Sequence, residues 1–351
     1  MQKRIITAAV MAAFAGVSLA AVAEESTTVG GKAYIDFTDI SQKNDGTKAA
    51  PSGMGFDVKR FYVGINHVFD DMWSANVTTD FNYVSGDSET QGFVKKAYVQ
   101  GKFDQAAVLR LGSADMPWIP FVENYYGFRY VENTLIDRLK FGTSADWGAH
   151  LGGKFMNGLL NYQLSAVNGN GYKNPSRSKG LDYEARVGVA PLPGLILALG
   201  YYNGKLGQET QAVSAANTAS RYDALAAYGI GPVKVGAEYF SAKNFNATAV
   251  KTGPEDKGDG YSVWGSFNVS QPIAIFARYD SAKPNKDTAP SLKDTYYNAG
   301  VSYAARKNVD LALVYKHEKV DNGSISTSNG TIGGTNDGKY DEIGLWSQVK
   351  W

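Results

Sequence analysis

The sequence predicts an all-β protein, a transmembrane antiparallel β-barrel of about sixteen strands. Three observations carry that prediction. Apolar and polar residues alternate in short bursts from residue 29 onward. The connections between bursts alternate long and short. The composition suits a sheet with an aromatic belt: 22 Tyr, 16 Phe and 39 Gly, against 11 Pro.

The alternation has the period of a strand with one oily and one wet face. In 76–83, Val77, Thr79, Phe81 and Tyr83 oppose Asn76, Thr78, Asp80 and Asn82. In 146–155, Trp147, Ala149, Leu151 and Phe155 oppose Asp146, His150 and Lys154. Near the end, Val309, Leu311, Leu313 and Tyr315 oppose Asp310, Lys316 and Glu318. The predicted strands are 29–40, 55–68, 73–84, 93–103, 107–114, 143–155, 159–168, 181–190, 195–203, 221–230, 233–242, 260–269, 273–282, 295–304, 309–319 and 340–351.

The long connections are 41–54, 85–92, 115–142, 169–180, 204–220, 243–259, 283–294 and 320–339. The short ones are 69–72, 104–106, 156–158, 191–194, 231–232, 270–272 and 305–308. Barrels in membranes sort their connections in this way, with short turns on the periplasmic side. A soluble sandwich has no reason to. Strands of about ten residues, tilted about 40°, span the roughly 25 Å apolar band. Lipid leaves backbone groups no water, so the sheet must close and Trp351 must pair back near the first strand. Phe69, Trp73, Phe103 and Phe155 flank short turns, and Tyr83, Tyr162, Tyr183 and Tyr279 lie on oily faces, as belt residues would. Ile343, Leu345, Val349 and Trp351 form the oily face of the last strand, which Ser347 interrupts.

Residues 1–23 read as a cleaved export signal: Lys3 and Arg4, then an apolar run from Ile5 to Leu19, then small residues before Glu24. The barrel domain is then 24–351. No later stretch is apolar and long enough for a transmembrane helix. The chain has 35 Lys+Arg against 34 Asp+Glu and no basic run, so nucleic acid is not an expected partner. It has no Cys, so no disulfide. Its three His are His67, His150 and His317, and neither Gly-x-Ser-x-Gly nor His-Glu-x-x-His occurs. No catalytic residue, metal site or cofactor is read from it.

The wet face carries the candidate functional residues. Charges there cannot face lipid, where each costs roughly 2–4 kcal/mol near the midplane. Arg60, Lys96, Arg110 and Lys154 fall on neighbouring strands and could form a basic strip that attracts anions. Equally, they could pair with Asp80 and Asp146 as salt bridges within the wall. The longest connection, 115–142, carries Trp118, Phe121, Tyr125, Tyr126, Phe128 and Tyr130. It is too oily for a solvated loop and is expected to fold into the lumen, the third long loop of the barrel. Arg129, Arg138 and Lys140 would then face Glu123, Glu132 and Asp137 near a constriction.

Signal, barrel, long third loop and aromatic C-terminus together resemble the bacterial porins. More narrowly, GFDVKRFYVGINHVFDDMWSANVTTDF (55–81), FVKKAYVQGKF (93–103), LRLGSADMPW (109–118), YVENTLIDR (130–138) and DWGAHLGGKF (146–155) resemble the phosphate-selective (O and P type) porin family. The resemblance implies an outer-membrane homotrimer in lipid and lipopolysaccharide. It also implies a water-filled pore for ions and small hydrophilic solutes, anions among them. Members selective for phosphate carry a ladder of arginines at the constriction. Here 115–142 has Arg129 and Arg138 with acidic residues close by, so a broadly selective pore is expected. A substrate-specific channel for phosphate or sugars is the alternative, and a barrel enzyme a remoter one.

Overall fold

A computed structural model describes residues 25–82, 91–214 and 217–351. The predicted signal (1–23), Tyr83 and most of the connection 85–92 lie outside them. Among the described residues the wall consists of sixteen antiparallel strands: β1 (Ser26–Asn44), β2 (Gly53–Val68), β3 (Trp73–Asn82), β4 (Gln91–Lys102), β5 (Val108–Asp115), β6 (Ala145–Phe155), β7 (Leu160–Val167) and β8 (Asp182–Val189) come first. β9 (Leu195–Gly204), β10 (Ala219–Ile230), β11 (Val233–Lys243), β12 (Lys257–Ser270), β13 (Ile273–Lys283), β14 (Lys293–Arg306), β15 (Val309–Asp321) and β16 (Gly338–Lys350) follow. Each pairs with its neighbours in sequence, and β16 pairs with β1 from Lys32↔Lys350 to Asn44↔Gly338. No edge is left open.

The seam closes through the chain end, as the sequence requires. Gly31 N–H donates to the Trp351 carbonyl at 3.0 Å, and Trp351 N–H returns to Gly31 at 3.2 Å. The Trp351 ring lies so close that a Cβ at Gly31 would sit 2.1 Å from its Cζ2. Only glycine fits there.

Alternation then sorts each strand. Leu197 and Leu199 on β9 are exposed on the outer face, while Ile196 and Ala198 between them are buried. A ladder of exposed tyrosines crosses that outer face, one per strand from β8 to β15: Tyr183, Tyr201, Tyr222, Tyr239, Tyr261, Tyr279, Tyr297 and Tyr315. The rings meet in pairs, with centroids 4.9 Å apart for Tyr201 and Tyr222, 6.2 Å for Tyr261 and Tyr279 and 6.1 Å for Tyr297 and Tyr315. Among the described residues, β16 and β1–β7 carry no exposed tyrosine; their outer face holds Phe37, Phe56, Phe61, Val77 and Val99 instead. Leu199→Arg puts a charge at mid-strand on the lipid side and should destabilise the folded barrel by about 2–4 kcal/mol. Tyr201→Arg, nearer the rim, should cost about 1 kcal/mol or less. Guanidinium titration of the two variants in vesicles checks the difference.

Three features depart from the sequence reading. The register of β1 with β2 runs Tyr34↔Arg60 and then Ile35↔Val58, passing over Lys59. That of β3 with β4 runs Thr78↔Lys96 and then Thr79↔Val94, passing over Lys95. Each is a β-bulge, where two residues oppose one. Both extra lysines turn inward: Lys59 Nζ lies 3.7 Å from buried Asp36, and Lys95 Nζ lies 4.9 Å from the Tyr62 ring. Second, the connection after β15 is not irregular. It holds a small hairpin, Ser324–Thr327 with Gly330–Gly333. Third, the connection after β5 holds two short helices.

Candidate functional site

Residues 116–144 connect β5 to β6. Helix α1 (Ile119–Tyr126) starts with Pro120 in its first turn and ends at Gly127, whose φ of 79° is the left-handed cap glycine allows. Helix α2 (Leu135–Arg138) follows. Trp118, Ile119, Val122, Leu135 and Ile136 are fully buried against Ile196, Leu225, Phe240 and Trp264 on β9–β12. Each such side chain contributes roughly 1.5–3 kcal/mol when removed from water. These strands are apolar on both faces, as 195–202 (LILALGYY) already shows. That lapse in alternation is the signal for where the segment docks.

Polar groups fix its position. Trp118 N–H donates to Glu184 at 3.0 Å, and its indole Nε1 to Glu238 at 2.8 Å. Arg138 is fully buried and bonds three carboxylates on successive strands: Asp280 at 3.1 Å, Asp294 at 2.5 Å and Glu318 at 2.6 Å. The Arg278 guanidinium donates to the Asn133 carbonyl, and that of Arg221 to the Phe141 carbonyl. Glu132 lies 3.5 Å from Lys316 Nζ and accepts from Ser328 Oγ at 2.7 Å. Burial alone would raise its pKa, but Lys316, Ser328 and Arg138 outweigh it and hold it at about 2. A depressed carboxylate pKa contributes stability that is complete above the ordinary value, 4.5, and lost as pH falls toward 2. Thermal denaturation in detergent should therefore show this contribution fading below about pH 4.5, and Glu132→Gln should remove that part of the slope.

The predicted site residues divide. Arg129 does meet acidic residues of its own segment, Glu123 at 2.7 Å and Asp137 at 3.4 Å. Arg138 and Glu132 do not face them; both are drawn to the opposite charges of the wall. Lys140 bonds Ser326 Oγ of the small hairpin at 2.7 Å rather than a carboxylate. Of the basic strip, Arg60 pairs with Asp80 at 2.7 Å and Lys96 with Asp115 at 2.5 Å. Asp146 is no cation's partner among the described residues. Its carboxylate accepts the N–H groups of Trp147, Gly169 and Gly171 at 2.7, 2.9 and 3.1 Å. Arg110 bonds only the Gln100 amide at 2.8 Å, and Lys154 is exposed with no ion pair among the described residues.

Sequence reasoning missed three residues here. Tyr172, from the connection after β7, donates to Asp80 at 2.5 Å across the interior. Nothing in its local sequence marks that reach. Lys59 and Lys95 were legible in principle. Lys59-Arg60 and Lys95-Lys96 are adjacent cations on membrane strands, and strict alternation would put one of each pair into lipid.

A closed barrel with an apolar exterior and a charged interior is a channel architecture. A family model for the Gram-negative porin matches residues 7–323. The chain belongs to the Gram-negative porin family. This porin is an outer-membrane channel for passive diffusion. No curated relative matches it. Solved structures share its fold. An anion-selective porin from Comamonas acidovorans has a TM-score of 0.71 at 14% identity, covering 93% of this chain and 100% of that one. The outer membrane channel DcaP of Acinetobacter baumannii gives 0.65 at 14%, over 95% and 99%. The trimer form of OmpT, an outer membrane protein of Vibrio cholerae, gives 0.61 at 14%, over 94% and 100%.

Proposed function

We propose that this porin is a broadly selective, anion-preferring channel, narrowed within the lumen by residues 116–144. One observation carries the anion preference. Beneath the segment 116–144, Glu184, Asp223, Glu238, Asp280, Asp294 and Glu318 of β8–β15 are bonded to Trp118, Arg138 or the wall's own Arg221 and Arg278. The cations of β2–β6 line the cavities beside that segment, with Lys59 and Lys95 added to the expected strip. Basic walls favour anions. The likeness to the Comamonas porin, itself anion-selective, supports the same preference. Reversal potential across a planar bilayer under a KCl gradient tests it. The sign should be that of chloride permeation, and a zero or cation-side potential would overturn the preference while leaving the channel intact.

A channel dedicated to phosphate, the narrower family likeness, is less well supported. Arg138 is fully buried and Arg129 is held by two carboxylates, so 116–144 offers no row of free arginines. Sugar passage would rest on the aromatic rings of the same segment.

Homotrimeric assembly is part of the same reading. Tyrosine belts form where a barrel meets lipid headgroups. A ladder confined to β8–β15 leaves the arc β16–β7 for neighbouring copies, and lipid and lipopolysaccharide would meet the tyrosine side. The Vibrio neighbour is described in a trimer form, which agrees. Export would remove 1–23. Mass determination of the mature protein and of its detergent complex tests both points.

A further inference from the structure

We propose that the periplasmic half of the lumen holds a binding site for small aromatic carboxylates. The inference rests on the channel reading above and adds a ligand class to it. A cavity of about 680 Å³ lies among the periplasmic ends of β4–β9 and α1. Lys102, Arg110, Lys154 and Arg186 line it, and no Asp or Glu does. None of the four forms an ion pair among the described residues. This sets the cavity apart from the rest of the interior, where Arg60, Arg138, Arg221 and Arg278 each hold a carboxylate within 3.1 Å.

The cations are aimed by neutral groups. Arg110 Nε donates to Gln100 at 2.8 Å, which leaves its terminal NH₂ groups without a protein acceptor among the described residues. Arg186 donates to the Pro117 carbonyl at 2.9 Å and to Asn161. His150 is 1% exposed and lines the same cavity; its Nδ1 bonds Ser165 Oγ at 2.8 Å, and its Nε2 meets no hydrogen-bond partner among the described residues. Guanidinium and imidazole groups held in this way suit a carboxylate, which an arginine takes through two parallel bonds.

The remaining surface is aromatic. Phe121 carries the Arg186 guanidinium over its face at 3.7 Å, and Tyr125 meets Phe121 edge-on at 5.1 Å. A flat ring attached to the carboxylate would pack on Tyr125, whereas an inorganic anion has nothing to place there. In a conducting channel such a site must be shallow enough to release its ligand, so it should appear as brief occupancy rather than tight capture.

Single-channel recording in KCl tests this, with sodium benzoate, acetate or phosphate added on either side. Benzoate should interrupt the current in discrete events at concentrations where acetate and phosphate do not. Arg110→Gln should raise the blocking concentration about tenfold. Tyr125→Leu should remove the advantage of benzoate over acetate while the channel stays open. An open channel that benzoate interrupts no more than acetate does overturns the site and leaves the porin reading standing. So does unchanged block in both variants. A folded protein that never conducts overturns the channel reading itself.

Discussion

Arg138→Leu should free residues 116–144 from the wall and raise single-channel conductance severalfold. Arg138 is the sole cation bonded to Asp294 and Glu318 among the described residues. Its guanidinium also lies over the Tyr296 ring at 4.6 Å. Removing one partner of a buried charge cluster costs about 3–5 kcal/mol, because the orphaned charges have lost their water as well as their partner. Three carboxylates are left without it here, so water must enter, and the least costly route is for α2 to lift away. Arg138→Lys keeps the charge but cannot reach three strands at once, and should fall between the two. The barrel itself should survive, since its ladder of hydrogen bonds does not pass through Arg138. Conductance is the measurement, with heat-dependent gel mobility confirming a folded barrel. Unchanged conductance in a folded Arg138→Leu variant would show that the segment does not set the width of the pore.

Reversing Arg110 and Lys154, the two cations of the basic strip that form no ion pair among the described residues, is the second large effect. With Arg110→Glu and Lys154→Glu together, the preference for chloride should shift toward potassium by about tenfold in permeability ratio. A unit charge about 7 Å away in water is worth about 0.6 kcal/mol to a passing ion, and the double reversal changes four such units. Screening over a Debye length of about 10 Å at 0.1 M salt reduces the sum, so the shift should grow as salt is diluted. The matching reversal at Arg60 and Lys96 should do less and destabilise more, because each already holds a carboxylate at 2.7 or 2.5 Å. Reversal potentials for the two double variants at high and low KCl decide the point. Equal shifts would mean that pairing does not govern which charges an ion meets.

Much of the barrel was legible because lipid imposes its pattern on every strand. The run Val309 to Tyr315 faces as its alternation says, and β15 begins at the predicted residue. The parity of long and short connections holds round the whole wall. Legibility fails where a second surface intrudes. In 195–202 the inner face is apolar too, because Ile119 and Trp118 lie against it. Arg138 and Glu132 could not be placed from sequence, since their partners sit on strands more than a hundred residues away. The small hairpin 324–333 was missed because its serines, threonines and glycines alternate nothing. Its Ser328 N–H nevertheless bonds the Arg138 carbonyl at 2.9 Å and ties the hairpin to the segment 116–144.

The bulges at Lys59 and Lys95 bear on how such a chain can change over generations. In a regularly paired stretch of the wall, inserting one residue would turn the rest of the strand inside out and strand its charges in oil. At Lys59 and Lys95 the surplus residue is absorbed where it enters, and the strand beyond keeps its faces. A one-codon insertion or deletion at these positions therefore alters the electrical character of the passage by a whole charge while the outer surface stays as it was. Closely related chains should differ in length at 59 and 95 more readily than at any mid-strand position around them.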